Sequence, residues 1–148
     1  MTETTEIIRA YLETQSTLAL ATVNAAGYPE VTPLFYVSDE RLNLYWLSAP
    51  SSRHSVNLTA RPRVAATVYA SAWQWSDIVG LQIEGSAEVI SDERVREQIT
   101  VIYLRKFTLP GEFDTIIAGS ALYVLRPHWL RWMDNSVKFG HREEITLS

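Results

Sequence analysis

The sequence predicts a mainly β chain of the α+β class, with six to seven antiparallel strands in a closed or partly closed barrel and helices flanking it. Three observations predict this. Short apolar or alternating runs recur from Thr17 to Pro127, Gly, Pro, Asp and Ser clusters punctuate them, and helical spacing appears in only a few segments between. Strands that follow one another closely pair antiparallel, and closing the sheet removes its free edges.

Ile7, Ile8, Tyr11 and Leu12 lie at helical spacing behind Glu3 and Glu6, where the positive end of a helix dipole favours carboxylates, so a helix opens the chain. The apolar run from Thr17 to Asn24, the turn residues Ala26-Gly27-Tyr28-Pro29 and a second run from Glu30 to Val37 make a β-hairpin. After Ser38-Asp39-Glu40-Arg41, the residues Leu42, Leu44 and Trp46 alternate with Asn43, Tyr45 and Leu47 in a third strand. The serines that follow can cap a helix of about ten residues, ended by Pro62, which pushes Arg61 out of helical dihedrals.

Val64, Ala66 and Val68 mark a fourth strand, and Val79, Leu81, Ile83, Ala87 and Val89 a long fifth. Ser91 is expected to cap the next helix, with Asp92 and Glu93 in its first turn, Val95, Ile99 and Ile102 on one face, and Arg105 and Lys106 in its last turn. Past Pro110 and Gly111, the segment from Ala121 to Pro127 forms a sixth strand, and the chain from His128 returns to the sheet. A length of 148 residues, 47% of them hydrophobic, supports one domain over residues 1–148.

Composition excludes several chemistries. There is no cysteine, hence no disulfide framework, thiol nucleophile or thiolate metal site. With 17 acidic against 13 basic residues, the overall field repels phosphate backbones, so nucleic acid is not an expected partner. No run approaches the ~20 apolar residues of a membrane span, and the first residues lack a basic region followed by an apolar run, which points to the cytoplasm. His54, His128 and His141 are too scattered for a metal-ligand spacing, and no nucleophile elbow, phosphate-binding Walker loop or dinucleotide fingerprint is present.

The most informative segment runs from Leu47 to Val64. Leu47 and Ser48 close a strand, and the next helix begins with Ser51, Ser52, Arg53 and His54. First-turn N–H groups, a helix dipole, hydroxyls, a guanidinium and an imidazole would converge there on an anion. In an acidic chain, such a local cluster calls for a partner.

This block resembles the pyridoxamine-phosphate-oxidase-like FMN-binding split barrels. In that family a hydroxyl-bearing strand end leads to a phosphate-binding Ser-Arg-Lys, then Asn-Leu, then Asn-Pro and a new strand. Here Ser48 stands at the hydroxyl position, Ser52-Arg53-His54 at the triplet, Asn57-Leu58 follows at the right distance, and Arg61-Pro62-Arg63-Val64 opens the strand. Gly27 to Leu34 is similar to the family's second strand, Leu81 to Glu88 to its fifth, and Asp134 to Gly140 to the tail of one subgroup. The resemblance implies a six- to seven-stranded split β-barrel that is a homodimer, with FMN at the subunit interface. It implies that Ser48, Ser52, Arg53 and His54 hold the phosphate and ribityl end, that Thr32, Pro33 and Leu34 line the ring, and that Leu47 adjoins the site. A small molecule is the implied redox substrate.

Two departures qualify this. His54 replaces the usual lysine and carries a full charge only when protonated, which predicts FMN affinity that weakens from about pH 6 to pH 8. Gly80 stands where oxidases of pyridoxamine phosphate carry a glutamine. Relatives of this fold that bind haem or a deazaflavin, or no cofactor, define the alternative reading, a non-catalytic binding module. Among the five tryptophans, Trp73 and Trp75 fall in a loop and are the candidates for ligand contact, and the others are expected in the core or an interface. Arg61 and Arg63 either extend the positive patch or pair with surplus carboxylates. No residue is assigned as a catalytic acid or base.

Overall fold

A computed structural model describes residues 2–147. In chain order the elements are α1 (Glu3–Thr14), β1 (Thr17–Val23), β2 (Pro29–Phe35), β3 (Val37–Ser38), β4 (Leu44–Ser48), α2 (Arg53–Ala60), β5 (Arg63–Tyr69), β6 (Val79–Val89), α3 (Glu93–Lys106), α4 (Asp114–Ala118), β7 (Ala121–Asp134) and β8 (Arg142–Thr146). All eight strands belong to one antiparallel sheet in the order β2-β1-β5-β6-β7-β4-β3, with β8 on β7. The sheet curls so that β2 comes back towards β4 without hydrogen-bonding to it. The barrel is therefore split along that line.

The core inside the curl joins Ile8 and Leu12 of α1 to Leu18, Leu20, Leu44, Trp46, Val68, Leu81, Ile83, Leu130 and Trp132. A second cluster covers the outer face of β4: Val37, Tyr45, Leu122 and Val124 pack on Tyr103 and Phe107 at the end of α3. This explains why Leu44, Tyr45 and Trp46 are all buried although β-strand side chains alternate in direction. Each face has its own cover.

The expected antiparallel split barrel is present, its strand count reaching eight with the short β3 and β8. Several finer expectations are corrected. Leu42 lies in the turn before β4, with a φ of 68°, held by burial and by Asp39, whose carboxylate accepts from the N–H groups of Arg41 and Asn43. The cap of α3 is Asp92, since its Oδ1 accepts from Arg94 N–H and Val95 N–H, and the covered stripe is Val95, Ile99 and Tyr103, with Ile102 exposed. The sixth strand continues past Pro127 to Asp134, because a bulge lets it. Glu84 pairs with Trp129 and Gly85 with Pro127, so His128 is extra and a proline without an N–H is tolerated beside it. Gly85 suits this spot, as an added Cβ would sit 2.2 Å from the Arg126 carbonyl oxygen.

Candidate functional site

The site is assembled at the split, where β2 and the start of α2 meet. Glu30, Val31 and Thr32 of β2, Thr22 of β1, and Arg53 and His54 of α2 line a cleft of about 480 Å³. β2 is the last strand of the sheet on this side, paired only to β1. Tyr36 N–H donates to the Ser16 carbonyl at 3.1 Å and Asn24 N–H to the Tyr28 carbonyl at 2.9 Å, which fixes the parity of the hairpin. Even-numbered residues of β2 turn their main-chain groups to β1 and odd-numbered ones to the open side. The open edge thus offers the N–H groups of Val31 and Phe35 and the carbonyl groups of Pro29, Val31, Pro33 and Phe35. Pro29 and Pro33 remove two donors from it, which blunts the edge against strand addition.

α2 is eight residues long, with Ser52 at its N-cap and Arg61 in extended geometry before Pro62. Ser52 makes no side-chain capping bond; its Oγ lies 2.8 Å from the Ala49 carbonyl oxygen and 2.6 Å from Ser55 Oγ. Among the described residues, no side chain hydrogen-bonds to the first-turn N–H groups of this helix. His54 Nε2 lies 2.8 Å from Ser48 Oγ and 3.3 Å from Ser52 Oγ, so the imidazole ties the helix start to the end of β4. Burial lowers its pKa below the ordinary 6.5, which leaves the ring neutral at pH 7. The loss of affinity expected of a charged His54 therefore starts at a lower pH than an unperturbed imidazole would set.

Arg53 is the cation of the cleft, and it is paired. It forms an ion pair with Glu30 through Nη2–Oε2, with a further bond from Nε to Oε1 at 3.3 Å. The same carboxylate accepts from Asn57 Nδ2 at 2.8 Å and Asn24 Nδ2 at 3.2 Å, and Asn57 Nδ2 also donates to Thr22 Oγ1 at 3.0 Å. Arg53, Asn57 and Asn24 together hold the Glu30 pKa down at about 2, so it is an acceptor at every working pH.

Of the residues singled out in the sequence, the structure brings Thr32, Arg53 and His54 into the cleft wall, with Ser48 and Ser52 behind His54. Pro33 is exposed on the edge, whereas Leu34 packs against the main core and Leu47 against the second cluster, and neither lines the cleft. Trp46 and Trp132 are core, Trp73 is 98% exposed, and none of the five tryptophans lines the cleft. Arg61 donates to the Val23 carbonyl at 3.5 Å, and Arg63 lines a separate groove on the outer face of β1, β5 and β6. Gly80 is buried, and a Cβ there would meet Tyr69 Cβ at 3.0 Å and the Val68 carbonyl at 3.1 Å, so a longer side chain would require β5 to give way slightly. Glu30 and Thr22 carry no local signal; only the fold joins them to Arg53.

A family model for pyridoxamine 5'-phosphate oxidase matches residues 4–133. The chain belongs to this family. Among solved structures, it superposes with a TM-score of 0.79 on a haem-binding protein from Mycobacterium smegmatis, at 17% identity, over 99% of this chain and 59% of that one. This chain therefore spans less than two thirds of that protein. It superposes at 0.73 on a putative pyridoxamine 5'-phosphate oxidase from Listeria innocua, at 22% identity, covering 89% and 99% of the two chains. A haem storage protein from Vibrio cholerae matches at 0.69, with 24% identity and coverage of 82% and 88%. At these identities the structures share the fold with this family member. No curated protein matches the sequence. No helix among the described residues is long and apolar enough to cross a membrane.

Proposed function

We propose that this chain binds FMN in the cleft between the β2 edge and the start of α2, as a cytoplasmic homodimeric oxidoreductase acting on a small molecule. The observation that carries this reading is the convergence on one cleft of an exposed guanidinium, uncapped first-turn N–H groups and an open strand edge. The volume, about 480 Å³, is in the range of roughly 300–1,000 Å³ of small-molecule sites. The donor set fits a phosphorylated flavin: Arg53 and the α2 N–H groups would hold the phosphate, and Val31 N–H and the Pro33 carbonyl would meet the polar edge of the ring. Bound flavin would supply hydride or electron transfer, and the protein would supply orientation and cover. A second copy would complete the pocket, since Val31 is 68% and Phe35 45% exposed beside the open edge.

A second reading, haem binding without catalysis, is favoured by one observation besides the two haem-associated neighbours. The His128 ring is exposed beside a groove of about 630 Å³, with Glu84 no nearer than 4.0 Å, whereas His54 Nε2 is engaged with Ser48. An absorbance titration separates the two, because FMN has bands near ~370 and ~450 nm and haem a strong band near ~400 nm. FMN bound at one per chain supports the first reading. Saturable haem binding lost in His128→Ala, with no uptake of FMN, would replace it.

A further inference from the structure

The guanidinium that lines the cleft already has an anion, and that anion belongs to the chain. The pair is asymmetric: the Glu30 side chain is 26% exposed and the Arg53 side chain 79%. Glu30 is anchored twice more, by Asn57 Nδ2 at 2.8 Å and Asn24 Nδ2 at 3.2 Å, and Asn57 is itself tied to Thr22. Arg53, by contrast, has Glu30 as its one hydrogen-bonding partner among the described residues. When a ligand anion arrives, the guanidinium is the half that can turn, while the carboxylate keeps its two amide donors.

Charge arithmetic follows from this arrangement. With Glu30 ionised and His54 neutral, the cleft carries no net charge from the side chains that line it. A phosphate must take Arg53 over from a carboxylate that already satisfies it, and then sits in the field of that carboxylate. The gain is the difference between two charge-assisted pairs instead of the whole of one.

Resting on the reading that the cleft receives the flavin phosphate, we propose that Glu30 is a built-in competitor for Arg53 that makes FMN a reversibly exchanged ligand of this protein instead of a permanently held cofactor. The competition acts on the phosphate alone. A flavin without phosphate has no claim on Arg53 and is indifferent to Glu30.

The test uses the full chain and its variants Glu30→Gln and Glu30→Asp, titrated with FMN, riboflavin and inorganic phosphate, with dissociation followed by flavin fluorescence. Glu30→Gln removes the charge and keeps a partner for the asparagines. Its expected effect is FMN and phosphate binding tighter by about tenfold or more, with slower FMN release and riboflavin binding unchanged. Glu30→Asp keeps the charge with a shorter reach and falls between, which preserves the test if the glutamine variant folds poorly. Equal or weaker FMN binding by both variants, with wild type binding FMN, would overturn the competition and leave the cleft assignment standing. If none of the three chains binds FMN or phosphate, the cleft assignment falls and the competition with it.

Discussion

The two margins of the split barrel are finished in opposite ways. At the β3–β4 margin the last strand has two residues, and Tyr45, Tyr103, Phe107, Leu122 and Val124 seal it under α3. At the β2 margin the last strand has seven residues, its odd-numbered main-chain groups face outwards, and a polar network from Glu30 to Arg53, Asn57 and Thr22 stands beside the exposed Val31 and Phe35. One margin is closed by apolar packing and needs nothing more. The other is kept from sticking to stray strands by Pro29 and Pro33, yet its main-chain groups stay open. The contrast assigns stability to the apolar margin and, under the proposed function, binding to the polar one.

Breaking the sealed margin has the largest effect on stability. Phe107 stacks on Phe35 at 4.3 Å and packs on Tyr103 at 4.9 Å, so Phe107→Ala is expected to cost about 3–5 kcal/mol in urea denaturation while leaving FMN affinity within about twofold. Breaking the open margin reverses this pattern. Arg53→Ala is expected to weaken FMN by tenfold or more and to move the melting temperature by no more than about 3 °C, because the side chain is exposed.

The polar network sharpens the comparison through pH. The Glu30 carboxyl titrates at about 2 in the folded chain against 4.5 ordinarily, so its contribution is present above about pH 4.5 and is lost as pH falls towards 2. The stability gap between wild type and Glu30→Gln should therefore narrow from pH 5 to pH 3 in urea melts. His54 acts in the neighbouring window. Its folded pKa lies below 6.5, the unfolded chain takes up the proton first, and stability falls as pH drops below about 6.5; His54→Gln should flatten that slope. The smallest effect is expected of Pro33→Val, which returns one outward N–H to the β2 edge. It should change stability by less than about 1 kcal/mol and raise self-association in light scattering.

What could be read from the sequence was whatever local pattern dictates. The alternation from Val79 to Val89, the hairpin around Gly27 with its φ of 82°, and the Ser52-Arg53-His54 start of a Pro62-terminated helix all emerge where their periodicity and turn chemistry place them. Long-range facts stayed hidden. Glu30 reaches Arg53 across 23 positions, a pairing only the hairpin and α2 together create. β7 runs through Pro127 because Gly85 on another strand opens a bulge, and Leu42 leaves the strand because Asp39 builds a turn around it. Tyr45 is buried by α3, an element that follows it by almost fifty positions, so strand alternation alone misreads that face.

The most direct measurement of the central claim, that the open margin grips a flavin by its phosphate, is the ratio of FMN to riboflavin affinity in wild type and in Arg53→Ala. A ratio of about tenfold or more in wild type that collapses towards one in the variant is the predicted result. An unchanged ratio, or a wild type that binds the two flavins equally, would contradict it.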